Sequence, residues 1–306
     1  MLAANIPSGY VAVATGNSTV KVFAPNGTLF ETLNDASGST YTTGMTFDNA
    51  GDLFVTNFST NTVSKFNANG TLASSNYLST GSTPESILIN QAGSFLVAGP
   101  GSATIKAFSS AGVLTQTYNV QGGNGTGGTD WIDLAANQST VLYDGEGTEI
   151  LSYDLTTHTQ NAAFATGLAS SVFALRIIPA GAMAGDVLAA DSAHAILLNS
   201  SGVIIKTYNL PGNNGTDFAL NLDPNGTSFW TADTSGNVWE VDIATGTILQ
   251  SWNSGSSSTF GLAVAGELTA GGPPPTNVTP EPGSLALLGT GLTSLTLLKN
   301  RFRRRR

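Results

Sequence analysis

Gly44-Met-Thr-Phe-Asp-Asn-Ala-Gly-Asp-Leu-Phe-Val-Thr-Asn57, continued by Thr62-Val-Ser-Lys-Phe66 and Gly70-Thr-Leu72, contains one whole structural unit. An apolar run meets an Asp-Asn-Ala-Gly turn and a second apolar run follows. A polar loop leads to a third run, and an Asn-Gly turn leads to a fourth. Short runs of alternating apolar residues between turn residues predict antiparallel strands, because side chains in a strand point alternately to its two faces. The same phrase returns at Ile87–Asn90 with Phe95–Val97, and at Trp131–Leu134 with Val141–Tyr143. It returns again at Ala174–Ile177 with Val187–Ala189, and at Ala219–Leu222 with Phe229–Thr231. The last apolar residue of each first strand falls at 47, 89, 134, 177 and 222, so the steps are 42, 45, 43 and 45 residues. Four strands every forty-odd residues predict a β-propeller.

The ends of the repeat region fix the blade count. Phe260–Val264 is a first strand with no second strand after it, and Val11–Val13 is a second strand with no first before it. Val20–Phe23 and Gly27–Phe30 supply the third and fourth strands of that opening unit. Joining the two fragments gives an all-β, six-bladed propeller closed by pairing of its N- and C-terminal strands. Closure hides the inner sheet edges that would otherwise invite aggregation. The propeller is expected over residues 1–267, a Gly/Pro-rich linker over 268–279, and a tail over 280–306.

The tail has three physically distinct parts: Pro280-Glu281-Pro282, an apolar run from Gly283 to Leu298, and the basic end Lys299, Arg301, Arg303, Arg304, Arg305 and Arg306. The prolines cannot continue a helix into the preceding chain, whereas the apolar run predicts a single hydrophobic helix from about Ser284 to Asn300. Its sixteen residues make only about 24 Å of helix at ~1.5 Å per residue, short of the ~30 Å bilayer core. The basic end serves as a membrane stop on the cytoplasmic side. Gly271-Gly-Pro-Pro-Pro275 favours an extended spacer that presents the Pro-Glu-Pro clear of the propeller.

This tail resembles the PEP-CTERM sorting signal of Gram-negative bacteria, including Pro282-Gly283-Ser284 and the leucines Leu285, Leu287 and Leu288. The resemblance implies an exosortase substrate: transient inner-membrane anchoring, recognition by the exosortase, cleavage near the motif Pro280, Glu281 and Pro282, and delivery to the cell surface or extracellular matrix. The expected partners are therefore the exosortase and the inner membrane, then an exopolysaccharide or a surface protein. Met1-Leu2-Ala3-Ala4 has neither a basic region nor an apolar stretch, so a leader is expected upstream of it. The phrase at 44–57 resembles an NHL repeat and, more distantly, the regucalcin/gluconolactonase propellers. That likeness implies the fold over roughly residues 8–267.

Charge excludes one class of partner. Of eleven basic residues six lie at or after Lys299, leaving five against twenty acidic residues over residues 1–298, a formal balance of −15. Such a surface repels nucleic acid, which needs clustered Lys and Arg. There is no cysteine, so neither a disulfide framework nor a thiolate metal site is available. Asn-x-Ser/Thr at Asn26, Asn69, Asn214 and Asn225 coincides with Asn-Gly and reads as hairpin turn chemistry.

Aligning the repeats places Asn57, Asp144, Asp191 and Asp233 where second strands end, and Glu85, Asp130 and Asp217 where first strands begin. In antiparallel blades these positions share one rim. Seven oxygen-bearing groups there suit Ca²⁺ or a hydroxyl-rich sugar. The same residue types also serve as turn devices that accept backbone amides, and both readings stand at this stage. No catalytic residue is assigned and no cofactor other than Ca²⁺ is suggested. The alternative to a binding propeller is a metal-dependent lactonase or hydrolase of the gluconolactonase kind. The Glu-Gly-Pro stretch that opens the metal set of those enzymes is replaced here by Pro7-Ser8-Gly9-Tyr10. His158 and His194 fall in loops, and no serine sits in a nucleophile elbow. Gly122–Gly128 is expected to be a flexible blade connection. Trp131, Trp230, Trp239 and Trp252 are expected either to pack between blades or to stack on sugars.

Overall fold

The structure, a computed structural model, describes residues 4–270. The expected terminal helix, the Pro-Glu-Pro triplet and the basic end lie outside the described residues. Six antiparallel sheets make up the described residues, each built from consecutive strands except the first. From inside outward the first blade is Leu262–Val264, Val11–Gly16, Thr19–Phe23 and Leu29–Asn34. The second is Thr42–Phe47, Leu53–Asn57, Thr62–Phe66 and Leu72–Ser79, and the third is Ser86–Ile89, Phe95–Ala98, Thr104–Phe108 and Leu114–Asn119. The fourth runs Ile132–Leu134, Thr140–Tyr143 and Glu149–Asp154, then a broken outer edge of Thr159–Gln160 and Ala165–Thr166. Blades five and six begin at Val172–Ile177 and Asp217–Leu222 and end at Ile204–Tyr208 and Ile248–Asn253. The inner strands touch one another in sequence around a closed ring. This is a six-bladed β-propeller. No helix among the described residues is long and apolar enough to cross a membrane.

The closing pair follows the sequence reading: Val11, Ala12 and Val13 pair with Val264, Ala263 and Leu262. The inner strands are buried on both faces, and Asp217–Leu222 is buried at every position. Outer strands such as Leu114–Asn119 are largely exposed. The Asp-x-x-Gly turns work as the sequence suggests. Asp48 Oδ1 accepts the amides of Ala50 and Asp52, both at 2.9 Å, and Gly51 takes the left-handed φ of 85° that the turn needs.

Aromatic side chains join the blades. Phe54 of blade two meets Phe95 of blade three at 4.7 Å between centroids, and Tyr208 of blade five meets Phe229 of blade six at 5.0 Å. Trp252 packs on Phe23 across the sixth and first blades. Trp131, Trp230 and Trp239 are fully buried. Packing is therefore the role of the tryptophans.

A charged network ties the closing end of the ring to blades five and six. Glu267, just beyond the closing strand, accepts from Arg176 Nε at 2.9 Å, from the Leu222 amide at 2.8 Å and from Asn221 Nδ2 at 2.7 Å. Asp133 of blade four accepts the Ile177 amide of blade five at 2.7 Å. The Arg176 guanidinium lies 5.5 Å from the Trp131 ring centroid. The packed chain continues to Ala270, which is buried and accepts from Gln138.

Candidate ligand-binding rim

One repeat position, four residues before the last apolar residue of each inner strand, encircles the axis at one rim. It is occupied by Thr43, Glu85, Asp130, Phe173, Phe218 and Phe260. Register shifts at Val172/Ala174 and Asp217/Ala219 make Phe173 and Phe218 the extra residues of β-bulges, which re-aim side chains at strand ends. The inner strands come together tightly here. A Cβ on Gly261 would run into the Thr43 carbonyl, and one on Gly44 into the Glu85 carbonyl.

The two halves of this rim differ chemically. On blades five, six and one, Phe173, Phe218 and Phe260 form an arc with centroids 5.2 and 5.1 Å apart. Tyr41 extends the arc toward blade two, 5.3 Å from Phe260 and 40% exposed. On blades three and four the same position carries Glu85 and Asp130. Carboxylate oxygens of Glu85, Asp130 and Glu146 all lie within 4.8 Å of one another. Asp144 is fully buried beside them.

These acids are poorly compensated. Asp130 Oδ2 accepts from Thr126 Oγ1 at 2.7 Å and Asp144 Oδ1 accepts the Glu146 amide at 3.2 Å. Asp130 Oδ1 and Asp144 Oδ2 are buried without a partner. Burial, reinforced by Asp130, Glu146 and Asp144, holds the Glu85 carboxyl well above its usual range. Burial pushes Asp130 up to about 6, and burial with the neighbouring Asp130 pushes Glu146 up to about 7. Asp144 rises well above its usual range from burial and then from Asp130.

The glycine-rich segment is part of this construction. Gly122–Gly128 is not a flexible connection: it folds against the turn after Asp144. Thr126 donates its amide to Gly145 O at 2.8 Å, Gly123 donates to Gly128 O at 3.0 Å, and Asn124 Oδ1 accepts the Thr148 amide at 2.9 Å. A Cβ on Gly123 would collide with the Gly145 backbone. The glycines are there because two backbones approach closely.

The other rim acids form a separate neighbourhood across blades five and six. Asp191 Oδ1 accepts the amides of Ala193 and His194. Asp233 accepts the Asn237 amide at 2.9 Å and Asn237 Nδ2 at 2.8 Å. Both act as turn devices. Asp217 is fully buried with Oδ2 unpartnered, and burial, then Asp233 and Asp191, push it up to about 8. Asn57 stands apart in blade two, its side chain donating to Ser64 at 2.7 Å. Of the seven groups picked from the repeat, Glu85, Asp130 and Asp144 come together, Asp191, Asp217 and Asp233 form a second group, and Asn57 joins neither. His158 is exposed in a turn against Tyr118. His194 borders a pocket of about 360 Å³ lined by Ser192, Asn209 and Pro211, 3.5 Å from Asp191.

Sequence reasoning missed Glu146 and the aromatic arc. Glu146 sits in a turn at a left-handed φ of 55° and has no counterpart at a repeat position. The phenylalanines were visible as a position shared by three units but read as ordinary strand hydrophobes.

No protein-family model matches this chain and no curated protein matches it. Among solved structures it is similar to the WD40 β-propeller domain of Doa1, with a TM-score of 0.61 and 13% identity over 84% of this chain and 83% of that one. A likeness at that identity concerns the fold alone.

Proposed function

We propose that this protein is an exported binding propeller of the bacterial envelope or extracellular matrix, delivered by its PEP-CTERM-like tail, that holds a hydroxyl-rich polymer such as an exopolysaccharide at the rim. The observation that carries the binding reading is the single repeat position that places half-buried Phe173 and Phe260, with buried Phe218 packed between them, on one side and Glu85 and Asp130 on the other. Aromatic faces stack on the apolar faces of sugar rings, and carboxylates, directly or through a cation, take their hydroxyls. The delivery reading rests on the order of triplet, apolar run and arginine cluster at the chain end. The test is binding of the full chain to exopolysaccharide purified from the producing cell. Phe173→Ala and Phe260→Ala, both at half-buried positions, should each weaken retention several-fold while the fold persists by circular dichroism. Retention unchanged in both variants refutes the rim as the binding surface.

The lactonase reading has one observation in its favour, a carboxylate trio with the spacing of a metal set. Turnover on a lactone and ester panel with added Ca²⁺ or Zn²⁺, lost on changing Glu85, Asp130 and Glu146 to Ala, would establish the enzyme. Absence of turnover across the panel would favour the binder.

A further inference from the structure

The acidic half of the rim has a charge problem that no residue of the propeller solves. All five Lys and Arg residues that precede Lys299 are committed elsewhere. Lys65 pairs with Asp52 at 2.8 Å and Arg176 with Glu267 at 2.9 Å. Lys21 donates to Ser254 O, Lys106 to Thr80 O and Ser82 Oγ, and Lys206 to Ala244 O. None reaches Glu85, Asp130, Asp144 or Glu146. Burying several carboxylates without a counter-charge costs several kcal/mol per ion, a cost that a cation bound among them would offset.

We infer that Glu85, Asp130 and Glu146, backed by Asp144, form a Ca²⁺ site at the junction of blades three and four. Oxygens within 4.8 Å of one another fit inside one coordination sphere, since two Ca²⁺–O bonds of ~2.4 Å placed end to end span about that distance. The donors are all hard oxygens, which select Ca²⁺ or Mg²⁺ over soft-ligand metals. An irregular set drawn from two blades and a turn suits the flexible coordination of Ca²⁺ better than the strict octahedron of Mg²⁺. A second observation comes from outside the trio: Asp144, fully buried, keeps Oδ2 without a partner while its other oxygen holds the Glu146 amide. The free oxygen of Asp130 is likewise buried and unpartnered.

The site explains why the glycine-rich segment is built as it is. Thr126 both grips Asp130 Oδ2 and hydrogen-bonds the turn at Gly145 that carries Glu146. A cation drawn between Asp130 and Glu146 would lock that clamp and join blade three, through Glu85, to blade four. The set is distinct from the gluconolactonase arrangement, which begins at an N-terminal Glu-Gly-Pro absent here. The inference also stands apart from the sugar and export readings, because cation binding is measured without either.

The test uses the full chain stripped with a chelator. Tb³⁺ luminescence excited through Trp131, the residue next to Asp130, should appear on titration and be displaced by Ca²⁺. Thermal unfolding should shift upward by several degrees in Ca²⁺ up to ~10 mM, a ceiling above the ~10⁻³ M limit of weak extracellular Ca²⁺ modules. Glu146→Gln, at a half-buried turn, and Glu85→Gln should each weaken Ca²⁺ at least tenfold, whereas Asp217→Asn on the far blades should leave it unchanged. Should the Glu85 variant fail to fold, the wild-type titration and Glu146→Gln still decide. No Ca²⁺ effect on wild-type protein overturns the site, as does equal Ca²⁺ affinity in Glu146→Gln. Tighter binding of Mg²⁺ than Ca²⁺ overturns the choice of ion.

Discussion

Glu267→Ala tests whether the charged network behind the closing strand holds the ring together. The Glu267 carboxylate satisfies the Arg176 guanidinium, the Leu222 amide and the Asn221 amide group at 2.7–2.9 Å. The ion pair has side-chain exposures of 5% and 8%. Its removal leaves Arg176 buried with Asp133 as the remaining charge beside it. Breaking a buried pair from one side typically costs about 3–5 kcal/mol, because the surviving charge keeps its desolvation penalty. For a domain of this size each kcal/mol moves the midpoint by roughly 2 °C, so unfolding should come about 6–10 °C earlier. Differential scanning calorimetry of the full chain at neutral pH reads the shift, and urea unfolding reads the free energy. Arg176→Met alone should be comparably damaging, while the double change Arg176→Met with Glu267→Leu should recover part of the loss, since it buries no orphaned charge. A loss below about 1 kcal/mol for Glu267→Ala would place the pair among the exposed kind and refute the latch.

Asp217 should impose a pH dependence of its own. Its folded value of about 8 lies above the ordinary 3.8, so its contribution favours folding below about pH 4 and is lost as pH rises toward 8. Asp217→Asn, which never ionises, should gain on wild type by on the order of 3–4 kcal/mol between pH 4 and 7; parallel urea-midpoint curves across that window would contradict this. Gly261→Ala should lower stability by about 1–3 kcal/mol or more through overpacking, because the new Cβ meets the Thr43 carbonyl; an unchanged thermal midpoint would show that the inner strands are not in contact there. In a host without an exosortase the full chain should stay in the membrane fraction. Neutralising Arg303, Arg304, Arg305 and Arg306 should weaken that retention, each contributing about 1 kcal/mol near an anionic leaflet, and fractionation with no change would remove the role given to the arginines.

Strand order and blade number are readable in this chain because each blade repeats the same alternation and turn chemistry. The closing pair was found from an incomplete unit at each end. Glu85, Asp130 and Asp144 were found for the same reason, as positions that recur. What does not recur was hidden. Glu146 belongs to a turn unique to blade four, and only folding brings it to Glu85. The Glu267–Arg176 pair spans 91 residues and neither partner sits in a motif. In Gly122–Gly128 composition pointed the wrong way: glycines that suggest slack are there because a second backbone leaves no room for side chains. Phe173 and Phe218 needed the bulges, which shift register by one residue and leave no mark in hydrophobic periodicity.

The pairing of Val11–Val13 with Leu262–Val264 also sets a timetable. Val11–Gly16 is made before every other strand of the propeller, yet its inner neighbour follows some 250 residues later. At ~5–20 residues per second that interval is about 13–50 s, during which Val-Ala-Val-Ala presents an open, apolar sheet edge of the kind that recruits other chains. No partial product can close the ring, since the first blade lacks its innermost strand until the end of the propeller is synthesised. The nascent propeller therefore needs its first edge shielded until Leu262–Val264 is made.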